Sequence, residues 1–316
     1  VGEKGIGRFA VDKLGDKVNI ITKQEGENDW LNVVIDWESY YKSSNTQQLS
    51  LFTDIENHYE FSPAKNNNDH GTTLNITNIR EIWVENDVRR FIAEVSRLIS
   101  PFEKMSFPFS IRVVAPEYDI DTIANKGLED IKLATVGFSI TYNAEQNTQE
   151  TVFFNGSIGK IEIQQAPIKS FGGIKMKVYF FDDTARRQYR KEFKNSQIDG
   201  IKIYRDGVIT TPFAESESNE DKKRDILGID KRLWQDIFNR VSTREIIGIV
   251  EITKADNPNI IDATNRQDFV DNREYRELKE FIINQLDAIQ RFKEYTRKIR
   301  KQQNIDTLES AGEDLQ

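Results

Sequence analysis

Apolar and polar residues alternate from Lys17 to Lys23, and Leu31, Val33, Ile35 and Trp37 repeat at every second position, so the pattern predicts two β-strands. Phe9, Ala10, Val11 and Leu14 predict a short helix ahead of them, closed by Gly15. Residues 40–69 are polar, with Asn66-Asn67-Asn68-Asp69 near their end, and read as a loop or hairpin tip; Thr72 to Thr77 returns to strand. From Val84 the apolar positions Val88, Phe91, Ile92, Val95, Leu98 and Ile99 change to helical spacing, with Pro101 marking the end.

The second half is richer in strands. Ser110 to Val114, Ala134 to Tyr142, Thr151 to Asn155, Lys160 to Gln164, Ile174 to Phe181 and Ile246 to Thr253 carry β-branched or aromatic alternation. The charged run after Phe181 predicts a helix, and Asp206-Gly207 between two apolar runs predicts a hairpin. A long helix closes the chain: Tyr275, Leu278, Phe281, Ile282, Leu286, Ile289 and Phe292 step by threes and fours, with Asp271 and Glu274 at capping-box spacing. The fold class is α+β, in three parts: a mixed α and β unit over 1–105, a strand-rich unit over 106–270, and a terminal helix with a polar tail over 271–316.

Composition narrows the chemistry. The absence of Cys excludes disulfides and thiolate zinc sites, and two histidines, His58 and His70, leave little for imidazole chemistry. The net charge of -8 over 316 residues argues against an overall nucleic-acid footprint. Local basic runs at 184–194 and 291–301 offer either an electrostatic contact to DNA or a solvated helix face. No stretch approaches the roughly 20 apolar residues of a membrane helix, and no leader opens the chain, so a cytoplasmic location is expected.

The sharpest motif is the opening run, VGEKGIGRFAVDKLGDKVNIITK, which places three of 17 glycines in its first seven residues. Gly2, Gly5 and Gly7 permit close backbone approach and positive φ, while a following helix N-terminus with Lys4 and Arg8 makes an anion site. Neither the P-loop nor the dinucleotide spacing is present. A turn between two elements is the alternative reading. Because nothing precedes the turn, the chain is expected to be a fragment that has lost an upstream half-domain.

This run resembles the second glycine box of the GHKL ATPase superfamily, which includes gyrase B, the ninety-kilodalton heat-shock chaperones, histidine kinases and MutL. The segment HGTTLNITNI resembles the family's later Gly-Thr strand, and the stretch from Arg244 to Ile282 resembles the chaperone middle-domain run. The likeness covers about residues 1–37, 70–100 and 200–285. It implies the C-terminal part of a Bergerat-type α/β sandwich, followed by a ribosomal-protein-type β-α-β domain and the long helix. It further implies that Gly2, Lys4, Gly5, Ile6, Gly7, Arg8 and Phe9 close over the phosphates of ATP. Thr72 would help hold the adenine, and Arg266 would reach the γ-phosphate from the second domain as the catalytic residue.

The family's Glu and Asn box, which activates water and holds Mg²⁺, and its Asp-x-Gly-x-Gly box are missing, and both belong upstream of the glycine run. No metal ligand is therefore assigned within this sequence. The implied function is ATP binding and hydrolysis coupled to domain rearrangement and homodimer clamping, in a chaperone-like or MutL/MORC-like protein acting on a protein client or DNA. The fragment itself is expected to bind ATP weakly or not at all and not to hydrolyse it. The alternatives are a sensor histidine kinase, which lacks a suitably placed phosphoacceptor His here, and a non-enzymatic interaction module.

Overall fold

The computed structural model describes residues 11–44, 57–100, 109–124, 130–155, 157–193, 198, 200–214, 227, 229, 241–263 and 269–287. The chain forms two compact units, Val1–Val84 and Glu85–Gln316. The described residues form a mixed α+β architecture with three sheets and a C-terminal helix.

The first unit is built on four antiparallel strands, β1 (Gly15–Lys23), β2 (Asp29–Asp36), β3 (His58–Pro63) and β4 (Gly71–Ile79), in the order β3-β2-β1-β4. Their register follows from the period of two. Val18, Ile20 and Thr22 stand opposite Ile35, Val33 and Leu31 on one side and opposite Ile76, Leu74 and Thr72 on the other. Tyr59 and Phe61 extend the same face through β3. The other face is mixed, with Ile21, Trp30 and Val34 among polar residues, and includes a Lys17–Asp36 ion pair at 3.0 Å.

Two expectations are corrected here. Trp37 does not extend β2 but begins helix α1 (Trp37–Ser44). Asp36 diverts the chain: its carboxylate accepts the Glu38 N–H at 3.1 Å, and the Ser39 hydroxyl donates to its carbonyl at 2.6 Å. Within the stretch read as a loop, His58–Pro63 is a strand, because Tyr59 and Phe61 pair with Val33 and Leu31.

The second unit opens with α2 (Glu85–Val95), whose Val88 packs with Ala115 and Ile120 of a small hairpin, β5 (Arg112–Ala115) and β6 (Ile120–Ile123). Its main sheet has seven strands: β7 (Val136–Asn143), β8 (Thr148–Asn155), β9 (Ser157–Gln165), β10 (Ile174–Phe180), β11 (Gly200–Arg205), β12 (Val208–Ala214) and β13 (Ile246–Ile252). The order is β12-β11-β13-β10-β7-β8-β9, antiparallel except for the β11–β13 pair. Asp206 and Gly207, at φ 51° and 82°, form the predicted turn, since a tight hairpin of this hand requires two left-handed residues.

Helix α3 (Asp183–Glu192) follows β10, capped by the Asp182 carboxylate on the N–H groups of Thr184 and Ala185, both at 3.0 Å. Its Ala185 and Tyr189 cover Tyr179 and Phe181 on one side of the sheet. On the other side lies α4 (residues 273–287), which buries Tyr275, Leu278, Phe281, Ile282 and Leu286 against Phe138, Tyr142, Ile174 and Met176. Each such side chain contributes about 2 kcal/mol, so this stripe is the main bond between helix and sheet. Ile289 and Phe292 of the predicted stripe lie outside the described residues.

Candidate functional site

The phosphate-facing candidates Gly2, Lys4, Gly5, Ile6, Gly7, Arg8 and Phe9 lie outside the described residues, as does Arg266. The structure does describe what each run is anchored to. Residues 11–13 form a single 3₁₀ turn, closed by the Leu14 N–H on the Val11 carbonyl at 2.9 Å, in place of the predicted end of a helix. Gly15 is not a helix cap but the first residue of β1. A Cβ there would stand 2.7 Å from the Thr77 carbonyl oxygen, so glycine is required for the close approach of β1 and β4.

A residue missed in the sequence fastens this turn. The Arg80 N–H donates to the Leu14 carbonyl at 3.1 Å, and its guanidinium reaches Asp16 at 3.0 Å and Asp12 at 3.2 Å. One arginine thus ties the segment directly following the glycine run to the end of β4. The planar guanidinium fork suits two carboxylates at once. Arg80 lies 64 and 68 positions from Asp16 and Asp12, so only the strand pairing reveals the set.

Thr72 is the one sequence-assigned site residue within the described region. It stands opposite Thr22 in the β1–β4 ladder, and the two hydroxyls are hydrogen-bonded at 2.8 Å. Thr22 also donates to the Gly71 carbonyl at 3.3 Å, and Gly71 itself has φ +137°, which favours glycine. The pair ends a face otherwise made of Val18, Ile20, Leu31, Val33, Leu74 and Ile76. Thr72 and Leu74 are exposed on the outermost strand. A flat apolar surface with hydroxyls at one end can take a planar heterocycle, apolar on its faces and polar at its edge.

The neighbouring cation is occupied. Lys23 is buried, and its ammonium donates to the carbonyls of Asn67 at 2.8 Å and Asp69 at 2.5 Å, which holds the loop leading into Gly71.

In the second unit, the residues on either side of 264–268, the undescribed stretch that contains Arg266, are held together. Asp262 bridges Phe269, and the Val270 N–H donates to the Ile261 carbonyl at 2.8 Å. Arg205 clamps these flanking residues: its side chain, only 10% exposed, pairs with Asp262 at 3.1 Å, donates to the Ile260 carbonyl and lies 5.0 Å from the centre of the Phe269 ring. Next along the chain, Asn272 caps α4 by accepting the Tyr275 N–H at 2.9 Å and donates to the Asn259 carbonyl at 2.6 Å. The predicted capping pair is corrected accordingly: Asp271 instead holds Arg276 at 3.2 Å and Lys279 at 3.8 Å.

A cleft of about 400 Å³ also opens on the sheet of the second unit, lined by apolar residues such as Ile174 and by Thr141, Lys175, Glu251 and Asp256. Glu251 is buried and accepts a hydrogen bond from Ser100. Burial lowers the Lys177 ammonium from its ordinary value, against the nearby Glu251 charge, and pushes the Tyr179 phenol up to about 12. On α3, Arg186 is tied to Asp183 and lies 3.9 Å from Glu245, whereas Arg187, Arg190 and Lys191 face solvent.

Among the described residues there is no group of three or more His, Asp or Glu placed to hold a metal ion, and no helix is long and apolar enough to cross a membrane. No protein-family model matches the chain, and no curated protein matches it.

Proposed function

We propose that this chain is the phosphate-facing and transducing part of a GHKL-type ATPase. In this reading the first unit belongs to a Bergerat-type nucleotide domain and the second to a ribosomal-protein-type domain. The observation that carries the reading is the Thr22–Thr72 hydroxyl pair at the end of an apolar sheet face. It is supported by the anchored turn at residues 11–14 and by the Arg205 contacts to the residues that flank the stretch containing Arg266.

ATP, when bound, supplies the phosphoanhydride whose hydrolysis drives the cycle. The chain's own residues hold and orient it. Thr72, fixed by Thr22, bonds the edge of the base directly or through water. The backbone amides from Gly2 to Phe9 surround the phosphates, with Lys4 and Arg8 balancing their charge. Arg266 engages the γ-phosphate, where a guanidinium offers two donors and a permanent charge. No described residue has the part of the water-activating Glu or the Mg²⁺-holding Asn, so this sequence's share of the reaction is binding, charge stabilisation and transmission to a homodimeric clamp.

The test is an equilibrium titration of the full-length protein with a fluorescent ATP analogue in Mg²⁺, wild type against Gly5→Ala. The reading expects saturable binding, weakened at least about tenfold by the added Cβ, a loss of about 1.4 kcal/mol. Equal affinity in both proteins, or no binding to either, refutes it.

A further inference from the structure

Helix α3 carries a sequence run in which basic and aromatic residues are interleaved, and the fold sorts them. Ala185 and Tyr189 are buried against the sheet, and Phe193, at the end of the helix, packs with them. The exposed positions of its last two turns are Arg187, Gln188, Arg190, Lys191 and Glu192. Arg187, Arg190 and Lys191 stand three and four positions apart, so they share one helix face with neighbouring Cβ atoms about 5–6 Å apart.

These three cations make no ion pair with a described residue. Arg186, by contrast, is tied to Asp183 and lies 3.9 Å from Glu245. Glu192, the one acidic residue of the last two turns, accepts a hydrogen bond from Gln188 at 2.8 Å. Arg190 and Lys191 lie in the last turn, where a cation also complements the helix dipole, but Arg187 stands a turn earlier, beyond the reach of that effect.

The face fits a row of phosphates. Its two guanidiniums present planar forks that engage phosphate oxygens in pairs. The exposed positions of α3 include no apolar side chain to enter a lipid surface and no aromatic ring to stack on an unpaired base. A narrow basic helix face suits the open major groove of B-form DNA and the phosphates beside it, whereas the major groove of A-form RNA is too narrow.

We propose that α3 is a docking surface for the phosphate backbone of double-stranded DNA, held by Arg187, Arg190 and Lys191. The chain as a whole has a net charge of -8 and repels a polyanion, so the contact is local and weakens with salt. It goes beyond the nucleotide reading and uses none of the residues of that site.

The test is fluorescence anisotropy of a labelled DNA duplex titrated with the full-length protein, without nucleotide, at several salt concentrations. Wild type is expected to bind with a slope of log affinity against log salt of about −3, from three phosphates at about −0.9 each. Replacing all three cations by Gln, which keeps helix propensity, is expected to weaken binding at least about tenfold at the lowest salt and to flatten the slope. Arg187→Gln alone is expected to lower the slope by about one. Far-UV circular dichroism checks that each variant keeps its fold. A wild type that does not bind the duplex overturns the proposal, as do variants that bind like wild type. Competition by poly-glutamate as effective as that by DNA reassigns the face to an acidic protein, and equal competition by duplex RNA reassigns it to RNA; either result overturns the proposal.

Discussion

Thr22 and Thr72, 50 positions apart, share a 2.8 Å hydrogen bond across the β1–β4 ladder. The bond fixes the rotamer of a hydroxyl that stands on an exposed outer strand. Every other position of that face near the pair is apolar: Ile20 and Leu74 follow directly along the strands, with Leu31 and Val33 on β2. The arrangement marks one end of the face chemically and leaves the neighbouring positions nonpolar.

Replacing Thr72 by Val keeps the shape and removes the hydroxyl. Nucleotide affinity is expected to fall by about three- to tenfold, as for one lost hydrogen bond of about 1 kcal/mol. Stability is expected to change by less than about 1 kcal/mol, because the pair is exposed and valine suits a strand. Thr22→Val is expected to give a smaller loss of the same kind, since it acts by freeing Thr72. Titration with a fluorescent ATP analogue and urea unfolding separate the two effects.

Arg205 holds together the described residues that flank 264–268. Arg205→Lys keeps the charge but loses the planar fork that serves Asp262 and the Ile260 carbonyl together. A destabilisation of about 1–3 kcal/mol is expected, chiefly from the buried Ile260 carbonyl left partly unpaired. Urea unfolding followed by tryptophan fluorescence measures it. A change within about 0.5 kcal/mol, the range of an ordinary surface substitution, contradicts the clamp.

Gly172 lies under the loop of Asp256, and a Cβ on it would stand 2.0 Å from the Asp256 carbonyl oxygen. The Asn257 side chain fastens the same loop, accepting the Gly172 N–H at 2.8 Å and donating to the Gly173 carbonyl at 3.0 Å. Gly172→Ala is therefore expected to cost about 1–3 kcal/mol, whereas Gly26→Ala, at a turn with open space around it but φ +86°, should cost about 1 kcal/mol. Thermal unfolding of the two variants checks the order.

Glu277 on α4 accepts both the side-chain and the backbone donor of Ser170, and Lys169 lies 3.8 Å away. These contacts, the Ser170 hydroxyl first, hold its carboxyl below the ordinary 4.5. A lowered folded value means that the ionised form favours folding: the contribution is complete above the ordinary glutamate range and is lost as pH falls below 4.5 through the lowered value. The stability difference between wild type and Glu277→Gln is expected to be constant from neutral pH to about pH 5 and to shrink below it. Urea midpoints across that range are the measurement.

Most strands could be read because their alternation is regular: β1, β4, β7, β10 and β13 lie within two residues or so of the expected runs. The hairpin at Asp206-Gly207 was legible for a local reason, since both residues tolerate left-handed backbone. β3 and α1 were not, because their apolar residues are few and lie amid polar ones, and tertiary pairing decides them. The site was legible only as motifs. Thr72 can be singled out from the Gly-Thr pair, but Thr22, Arg80 and Arg205 gain meaning only when pairing brings them to Thr72, Asp12 and Asp262. Asn272 replaces Asp271 as the cap because its side chain, one residue later, is the one in reach of the Tyr275 N–H.

The central claim is tested most directly by Mg·ATP turnover of the full-length protein, wild type against Arg266→Ala, with nucleotide binding measured alongside. The account predicts that turnover falls at least about tenfold, or about 1.4 kcal/mol in the barrier, while nucleotide still binds. Turnover unchanged by the substitution, or an intact protein that neither binds nor hydrolyses ATP, contradicts it.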